Sequence, residues 1–328
     1  MRKLFVILSL ITILFSSCDF EKVVDIGSVP ITPHLVLNGL LYANSDTSYF
    51  YITKSRPIYS RDTIAMGINY DWGYDIIENA DFSLSVNGNA SHLKYSRADS
   101  AYILFGKLKE GDEVNVQSLY NGQELQSIAI LPPAPEVVSV DTASFNRIEY
   151  GRLKNYTMFK LTIKDMPGRN DYYRLLVNNE FYYLEGDTIQ KYSPYYSSYY
   201  SNDPVLTDGY MGSTNNSDIG LASSVYNYFS VFRDVRFAGK EYTLSFYVDN
   251  SVSYWYGPEE ADSIKRYLTV RLQSISEDLY KYYSSLQRSR QASSDKVSEP
   301  VVVHTNINGG LGILGACYEI KVFEYKNF

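Results

Sequence analysis

Histidine and cysteine, the residues that most often carry nucleophilic or metal chemistry, are scarce in this sequence. The histidines are His34, His92 and His304, and the cysteines are Cys18 and Cys317. A Ser-His-Asp site needs a histidine as general base, and no G-x-S-x-G elbow accompanies these three. Zinc sites need clustered histidine and cysteine ligands. The sequence therefore predicts no catalytic triad, no metal centre and no cofactor.

One glycine-rich string, Gly310-Leu-Gly312-Ile-Leu-Gly315, fits the G-x-G-x-x-G pattern of dinucleotide-binding loops. That chemistry requires a strand before the glycines, a helix that opens on them, and an acidic residue about 20 positions later. Here a predicted strand follows the glycines, and the chain ends at Phe328. We interpret the glycines as a tight turn that lets backbone pack closely beneath the last strand.

Paired carboxylates of the kind that hydrolyse glycosides stay open as an alternative, because the chain has 37 acidic residues. Glu259, Glu260 and Asp262 follow the aromatic run Tyr254-Trp255-Tyr256, a composition that fits a sugar subsite. The spacing does not fix two carboxylates at a catalytic separation. The leading expectation is a protein that is not an enzyme, and a carboxylate-dependent hydrolase is the alternative.

Net charge argues against one class of partner, and chain length indicates the number of domains. The formal net charge is −7, and no local basic patch offsets it, so the sequence argues against binding to nucleic acid. A chain of 328 residues, 45% of them hydrophobic, is long enough for two domains that each bury a core.

The N-terminus has the layout of an export signal. Arg2-Lys3 precedes the largely apolar run Leu4–Phe15, and Ser16-Ser17-Cys18 follows. The run is too short to span a membrane, which takes about 20 apolar residues. The position of Cys18 resembles the lipobox of bacterial lipoproteins, which implies acylation of its thiol. We predict a lipoprotein signal peptide over residues 1–17 and a membrane anchor through lipid on Cys18.

The residues behind Cys18 bear on its destination. Asp19 and Glu21 resemble the export signal that sends lipoproteins of Bacteroidota to the outer face of the outer membrane. Residues 18–33 then form a lipidated tether. We expect a lipid-anchored outer-membrane protein, exposed at the cell surface, in which Cys317 is a lone, buried thiol.

Alternating apolar residues and turn signals predict an all-β (mainly β) fold. Asn87-Gly88 and Asn121-Gly122 predict two-residue hairpins within residues 34–131, a spacing typical of an immunoglobulin- or transthyretin-like β-sandwich. The prolines of residues 132–135 end this domain. A larger β-rich domain is expected over residues 137–328, with one packed helix near 275–290 that opens on a Ser274–Glu277 capping box.

Several strings resemble a family of Bacteroidota lipoproteins known as domain of unknown function 4249. These strings are Leu35–Gly39, Asp171–Arg174 after an Asp-Met-Pro-Gly turn, Asp203–Leu206, Phe232–Gly239, Tyr280–Leu286, Ser298–Pro300 and Asn306–Gly312. The resemblance covers nearly the whole mature chain. It implies a lipid-anchored envelope protein, often encoded beside TonB-dependent outer-membrane transporters, and no known catalytic residues.

Tyrosine is over-represented, with 33 residues, and one tract of it follows no strand or helix period. Tyrosine with serine is typical of binding loops, because rigid amphipathic rings make contacts at low entropic cost. We predict a contact loop for a glycan, peptide or protein partner; a disordered excursion is the alternative. Its residues are Tyr192, Tyr195, Tyr196, Tyr199 and Tyr200.

Five tripeptides resemble the Asp-Ser/Thr-apolar sequon for O-glycosylation in Bacteroidota. The acceptor hydroxyls would belong to Thr63, Ser100, Thr142, Thr188 and Ser263. Modification is consistent with export.

The expected function is that of a binding or accessory component, working with a TonB-dependent transporter. A freestanding adhesion or glycan-binding protein is the first alternative, and the hydrolase is the second.

Overall fold

The structure is a computed structural model that describes residues 32–55, 75–149, 152–185, 188–192, 199–207, 227–250, 265–294, 299 and 301–327. These residues form sixteen strands and one α-helix, in agreement with the predicted mainly β class. The strands are β1 (Leu35–Ala43), β2 (Thr47–Lys54), β3 (Asp81–Val86), β4 (Asn89–Ser91), β5 (Leu93–Ser96), β6 (Ala101–Phe105), β7 (Glu113–Tyr120), β8 (Gln123–Ile130), β9 (Glu136–Glu149), β10 (Arg152–Lys164), β11 (Tyr172–Glu185), β12 (Thr188–Tyr192), β13 (Val231–Arg233), β14 (Glu241–Asp249), β15 (Lys265–Ile275) and β16 (Leu311–Asn327), and the helix is α1 (Glu277–Ser294). Among the described residues, no helix is both long and apolar enough to cross a membrane.

The strands are arranged in three sheets. A nine-stranded sheet has the order β12-β11-β15-β16-β1-β2-β6-β5, with β13 paired to β11. A four-stranded sheet has the order β4-β3-β7-β8, and a three-stranded sheet has the order β14-β10-β9. Each smaller sheet packs on a different part of the large one, so the molecule contains two sandwich-like cores.

The first core lies between the four-stranded sheet and the β1-β2-β6 part of the large sheet. Leu37 and Phe50 from the large sheet meet Val116 and Leu125 from the small one, and all four are completely buried. Alternation along the strands produces this arrangement, because every second side chain of a strand points to the same face. β1 shows the strict pattern, with Leu35, Leu37, Leu41 and Ala43 inward.

The second core lies between the three-stranded sheet and the β11-β15 part of the large sheet. Phe159 of β10 and Leu244 of β14 pack in one buried cluster with Leu175, Val270 and Leu272. Phe159 also stacks on Phe246 of β14, with ring centroids 5.1 Å apart. Burying each of these side chains stabilises the fold by about 1.5–3 kcal/mol.

Strand β16 belongs to both cores, which differs from the predicted division into two consecutive domains. Its first half pairs in parallel with β1, from Val36–Leu311 to Ala43–Tyr318, and contributes Leu314 and Ala316 to the first core. Its second half pairs antiparallel with β15. Residues 132–135, the predicted boundary, lie between β8 of the first core and β9 of the three-stranded sheet. The extra connection was not predictable, because periodicity identifies strands but not their partners.

Local signals predicted the hairpins correctly. Asn87 and Gly88 have φ values of 52° and 78°, and Asn121 and Gly122 have values of 49° and 77°. Positive φ at both central residues is the condition for a type I′ turn, whose twist matches that of the flanking strands. These turns join β3 to β4 and β7 to β8.

The helix is present as predicted, but its cap is different. Ser274 is the penultimate residue of β15 and is buried, so the predicted Ser274–Glu277 capping box is wrong. The cap is Ser276, whose Oγ accepts hydrogen bonds from the backbone N of Leu279 at 3.4 Å and of Ala316 at 3.2 Å. The strand extends this far because Ile275 still pairs with Cys317 of β16. Cys317 is buried and unbridged, as expected, and burial raises the pKa of its thiol.

Candidate functional site

Several predicted site residues lie outside the described residues. These are Cys18, Asp19 and Glu21 of the anchor and export signal, Tyr195 and Tyr196 of the tyrosine tract, the acceptors Thr63 and Ser263, and the acidic residues Glu259, Glu260 and Asp262. The remaining predicted residues are dispersed over the fold. Tyr192 and Thr188 are the last and first residues of β12.

The described end of the tyrosine tract belongs to the second core. Tyr199 is 2% exposed, and its ring lies 5.5 Å from that of Phe246, centroid to centroid. Burial raises the pKa of Tyr199 to about 12. Tyr200 exchanges two backbone hydrogen bonds with Tyr247 of β14, at 2.8 and 2.9 Å, and stacks on its ring. The prediction that Tyr199 contacts a partner is therefore wrong, because its side chain fills the core instead.

Two predicted glycosylation acceptors are accessible to solvent. Thr142 is exposed on β9, and Ser100 is half-buried in the turn before β6. Ser100 has a φ of 52°. Both hydroxyl-bearing residues thus lie where an enzyme could approach from outside.

Three carboxylates, one of them far from the other two in the sequence, meet beside the turn between β10 and β11. Asp165 follows β10, Asp171 precedes β11, and Asp234 begins the 3₁₀ turn Asp234–Arg236 after β13. One carboxylate oxygen from each residue lies within 4.8 Å of the others. Asp165 and Asp234 are buried, and Asp171 is half-buried. We call these three residues the carboxylate cluster.

Hydrogen bonds from the protein itself occupy this cluster. Asp165 accepts from the Tyr173 hydroxyl at 2.9 Å and from the backbone N of Gly239 at 2.7 Å. Asp234 Oδ2 accepts from the backbone N of Asp171 at 2.9 Å. Asp171 Oδ2 accepts from Arg169 Nε at 2.7 Å. These bonds tie the β10–β11 turn to the segment that leads into β14.

The electrostatics of the cluster follow from its burial. Burial, aided by the nearby Asp165 carboxylate, raises the pKa of Asp171, while Arg169 opposes this shift. Burial and the hydrogen bond to Asp165 raise the pKa of the Tyr173 hydroxyl. Oxygen ligands of this type suit hard cations. Each of the three carboxylates also accepts at least one hydrogen bond from the protein. The arrangement therefore acts as a brace for the β10–β11 turn. Sequence reasoning missed it, although all three aspartates lie in or beside strings noted for the family resemblance.

His304 forms the one histidine–carboxylate pair among the described residues. Its Nε2 lies 2.8 Å from Asp278 Oδ1. The nearby hydroxyl of Ser285 accepts a hydrogen bond from the backbone N of His304 at 2.8 Å and donates to the carbonyl of Tyr282 at 3.0 Å. Because that hydroxyl engages backbone rather than the imidazole, the three residues hold the chain against α1 and do not form a nucleophilic triad.

The string Asn306–Gly312 packs on the first core, and Asn306 also contacts Asp278 of α1. The side chain of Asn306 forms two hydrogen bonds with the backbone of Leu314, at 2.9 and 3.0 Å. The backbone of Asn308 exchanges two more with Gln126 of β8, at 2.9 and 3.0 Å. A Cβ on Gly312 would lie 2.1 Å from the carbonyl oxygen of Leu37. These contacts confirm that the glycines serve close packing.

Asp203 is another buried polar side chain that holds neighbouring segments together by hydrogen bonds. Its two carboxylate oxygens accept from the backbone N of Val205, the hydroxyl of Tyr242 and the backbone N of Ser245, at 2.9–3.0 Å. Burial and this hydrogen bond raise the pKa of Tyr242 to about 12. The string Asp203–Leu206 therefore fastens the edge of β14.

No curated protein matches the chain. Residues 21–321 match the family described as a domain of unknown function (DUF4249), which confirms the resemblance seen in the sequence. The chain therefore belongs to the DUF4249 family.

Proposed function

We propose that the chain is a surface-exposed outer-membrane lipoprotein that serves as a non-enzymatic binding or accessory component of a TonB-dependent transport system. The observation that carries the proposal is the N-terminal sequence, in which Arg2-Lys3, a short apolar run and Ser16-Ser17 lead directly to Cys18. Diacylation or triacylation of Cys18 would anchor the chain stably without a spanning helix.

The use of polar side chains in the described part of the fold supports a binding role over catalysis. Asp165, Asp203, Asn306 and His304 are engaged with hydrogen-bond partners in the same chain. The family-like strings at Asp165, Asp203 and Asn306 thus maintain the architecture. Specific contacts are expected from the surface between these strings.

A pull-down from the native host tests the proposal. The anchored protein, tagged after Phe328, is extracted in mild detergent, and mass spectrometry identifies what accompanies it. We expect a TonB-dependent transporter in near-equal amount. A Cys18→Ala variant is the control, and it should leave the membrane fraction and lose the transporter. A membrane-retained Cys18→Ala protein would contradict the anchor, and recovery of the wild type alone would contradict the transport role.

The alternatives predict different results. A freestanding adhesion or glycan-binding protein would be recovered without a transporter and would bind to glycans on an array. A carboxylate-dependent hydrolase would release sugar, and a Glu259→Gln or Glu260→Gln variant would lose that activity.

A further inference from the structure

Strand β9 is the long open edge of the described fold. It contains 14 residues and, among the described strands, pairs only with β10. The strands at other edges are short: β4, β5 and β12 have three, four and five residues. The edges of β8 and β14 are bridged by Asn308 and Tyr200. A long edge strand presents unpaired N–H and C=O groups that can form hydrogen bonds with a strand of another chain. Proteins usually protect such edges.

The middle of β9 is open on every side. Asp141, Thr142, Ala143 and Ser144 are all exposed. Because successive side chains of a strand point to opposite faces, four consecutive exposed residues mean that neither face is covered there. Between Glu136 and Glu149 the strand contains no proline and no lysine, two residues that commonly protect edges.

The side chains along this edge complement themselves. Asp141 and Arg147 lie three residues before and after Ser144. In an antiparallel pair of two β9 strands centred on Ser144, each Asp141 therefore faces Arg147 of the other copy, and this contact occurs twice. The same register places Ile148, which is 71% exposed, opposite Val140 of the other copy.

The register within the chain places Asp141 opposite Lys160 of β10, and Arg147 opposite Lys154, which forms an ion pair with Asp249 at 3.1 Å. Opposite charges on facing residues of a sheet are favourable. A second β9 strand in the register described above would place a carboxylate beside Arg147 and a guanidinium beside Asp141.

We propose that β9 is a homodimer interface, in which two copies of the chain pair antiparallel about Ser144 and join their three-stranded sheets into one six-stranded sheet. The proposal concerns a surface separate from the lipid anchor and does not depend on the transport role. One strand pair makes a small interface, so the dimer is expected to dissociate at micromolar concentrations.

Sedimentation velocity on the mature Cys18→Ala chain tests the dimer, over roughly 1 to 300 μM. The wild-type edge should give a concentration-dependent dimer. Asp141→Arg places two arginine pairs across the interface and should raise the dissociation constant at least about tenfold. The double variant Asp141→Arg/Arg147→Asp restores opposite charges and should recover the dimer. Asp81→Arg, the same charge change at an exposed position of β3, is the matched control and should have no effect.

Cross-linking provides a second measurement that does not depend on charge. Residues directly opposite each other in an antiparallel pair have Cβ atoms about 4.5–5.5 Å apart, so a small approach of the two strands brings them to the roughly 3.5–4.5 Å that a disulfide requires. Ser144→Cys should therefore give a covalent dimer under mild oxidation, and Ser83→Cys on the exposed face of β3 should not. A monomer throughout the concentration range, an Asp141→Arg variant that dimerises like the wild type, a double variant that stays dissociated, or equal cross-linking of the two cysteine variants would each overturn the proposal.

Discussion

Gly312 lies where β16 begins to pair with β1, and its replacement by alanine should be severely destabilising. Its φ is +99°, and an added Cβ would lie 2.1 Å from the carbonyl oxygen of its pairing partner, Leu37. The conformation alone costs an L-residue about 1–2 kcal/mol. The overlap is with backbone, so relief requires the local pairing to separate, and each hydrogen bond lost adds about 1 kcal/mol. With two bonds lost, Gly312→Ala should lower the free energy of unfolding by about 3–4 kcal/mol.

A matched glycine separates the two contributions. Gly88 has a φ of +78°, and a Cβ there would meet nothing within 4 Å. Gly88→Ala should therefore cost only the conformational part, about 1–2 kcal/mol. The variants are compared by urea unfolding of the mature Cys18→Ala chain. With an m value of about 3 kcal/mol/M, the midpoint should fall by about 1 M or more for Gly312→Ala and by about 0.5 M for Gly88→Ala.

Two results would refute this reasoning. Equal midpoints for the two glycine variants would mean that the overlap with Leu37 is relieved at no cost. A Gly312→Ala protein with normal stability that no longer co-purifies with its wild-type partners would instead make the string Asn306–Gly312 a binding element. Because β16 contributes to both cores, we also expect Gly312→Ala to shift a single transition and not to uncouple two.

Three further predictions concern the carboxylate cluster and the modification state. Asp165→Ala leaves the Tyr173 hydroxyl and a backbone amide without their acceptor, so the free energy of unfolding derived from its thermal midpoint should fall by about 2–4 kcal/mol. The control Asp81→Ala, on an exposed face, should change this free energy little. Equal losses in the two variants would count against the brace. The raised pKa of Asp171 means that the folded state binds its proton more tightly than the unfolded state, so this contribution to stability is present at low pH and is lost as the pH rises through the folded pKa. Thermal midpoints measured across this acidic range should therefore depend less on pH in Asp171→Asn, and identical profiles would contradict the assignment. Intact-mass measurement of protein from the native host should show sugar as well as lipid, and lipid alone would refute glycosylation. A glycan on Thr142 would also block pairing through β9.

The elements whose signals are local were predictable. The alternation of β1, the turns at Asn87-Gly88 and Asn121-Gly122, and the helix near 275–290 each depend on side-chain period or backbone φ over a few residues. The capping residue of α1 was predicted wrongly, because strand pairing and not the local sequence decides it. Ser274 and Ser276 have the same chemistry, and the pairing of Ile275 with Cys317 determines which one ends the strand.

The candidate site was the least predictable part. Asp165 and Asp171 are close in the chain, but Asp234 reaches them only because β13 pairs with the start of β11. Tyr199 and Tyr200 lie in a tract with the composition of a contact loop, but the side chain of Tyr199 is buried in the second core. Composition describes what a side chain can do, whereas its burial depends on which segments pack against it.

The sequence by itself determines the mainly β class, the hairpin turns and the family, and it predicts the export signal with Cys18, because each depends on a short pattern or on residues compared one by one. Only the tertiary structure decides that β16 completes both cores, that Asp234 joins Asp165 and Asp171 to brace one turn, and that β9 has an open edge among the described strands. These features depend on which strands pair, and the partners can be far apart in the chain, as Val36 and Leu311 are. The free energy of such pairing comes from packing that no local pattern records.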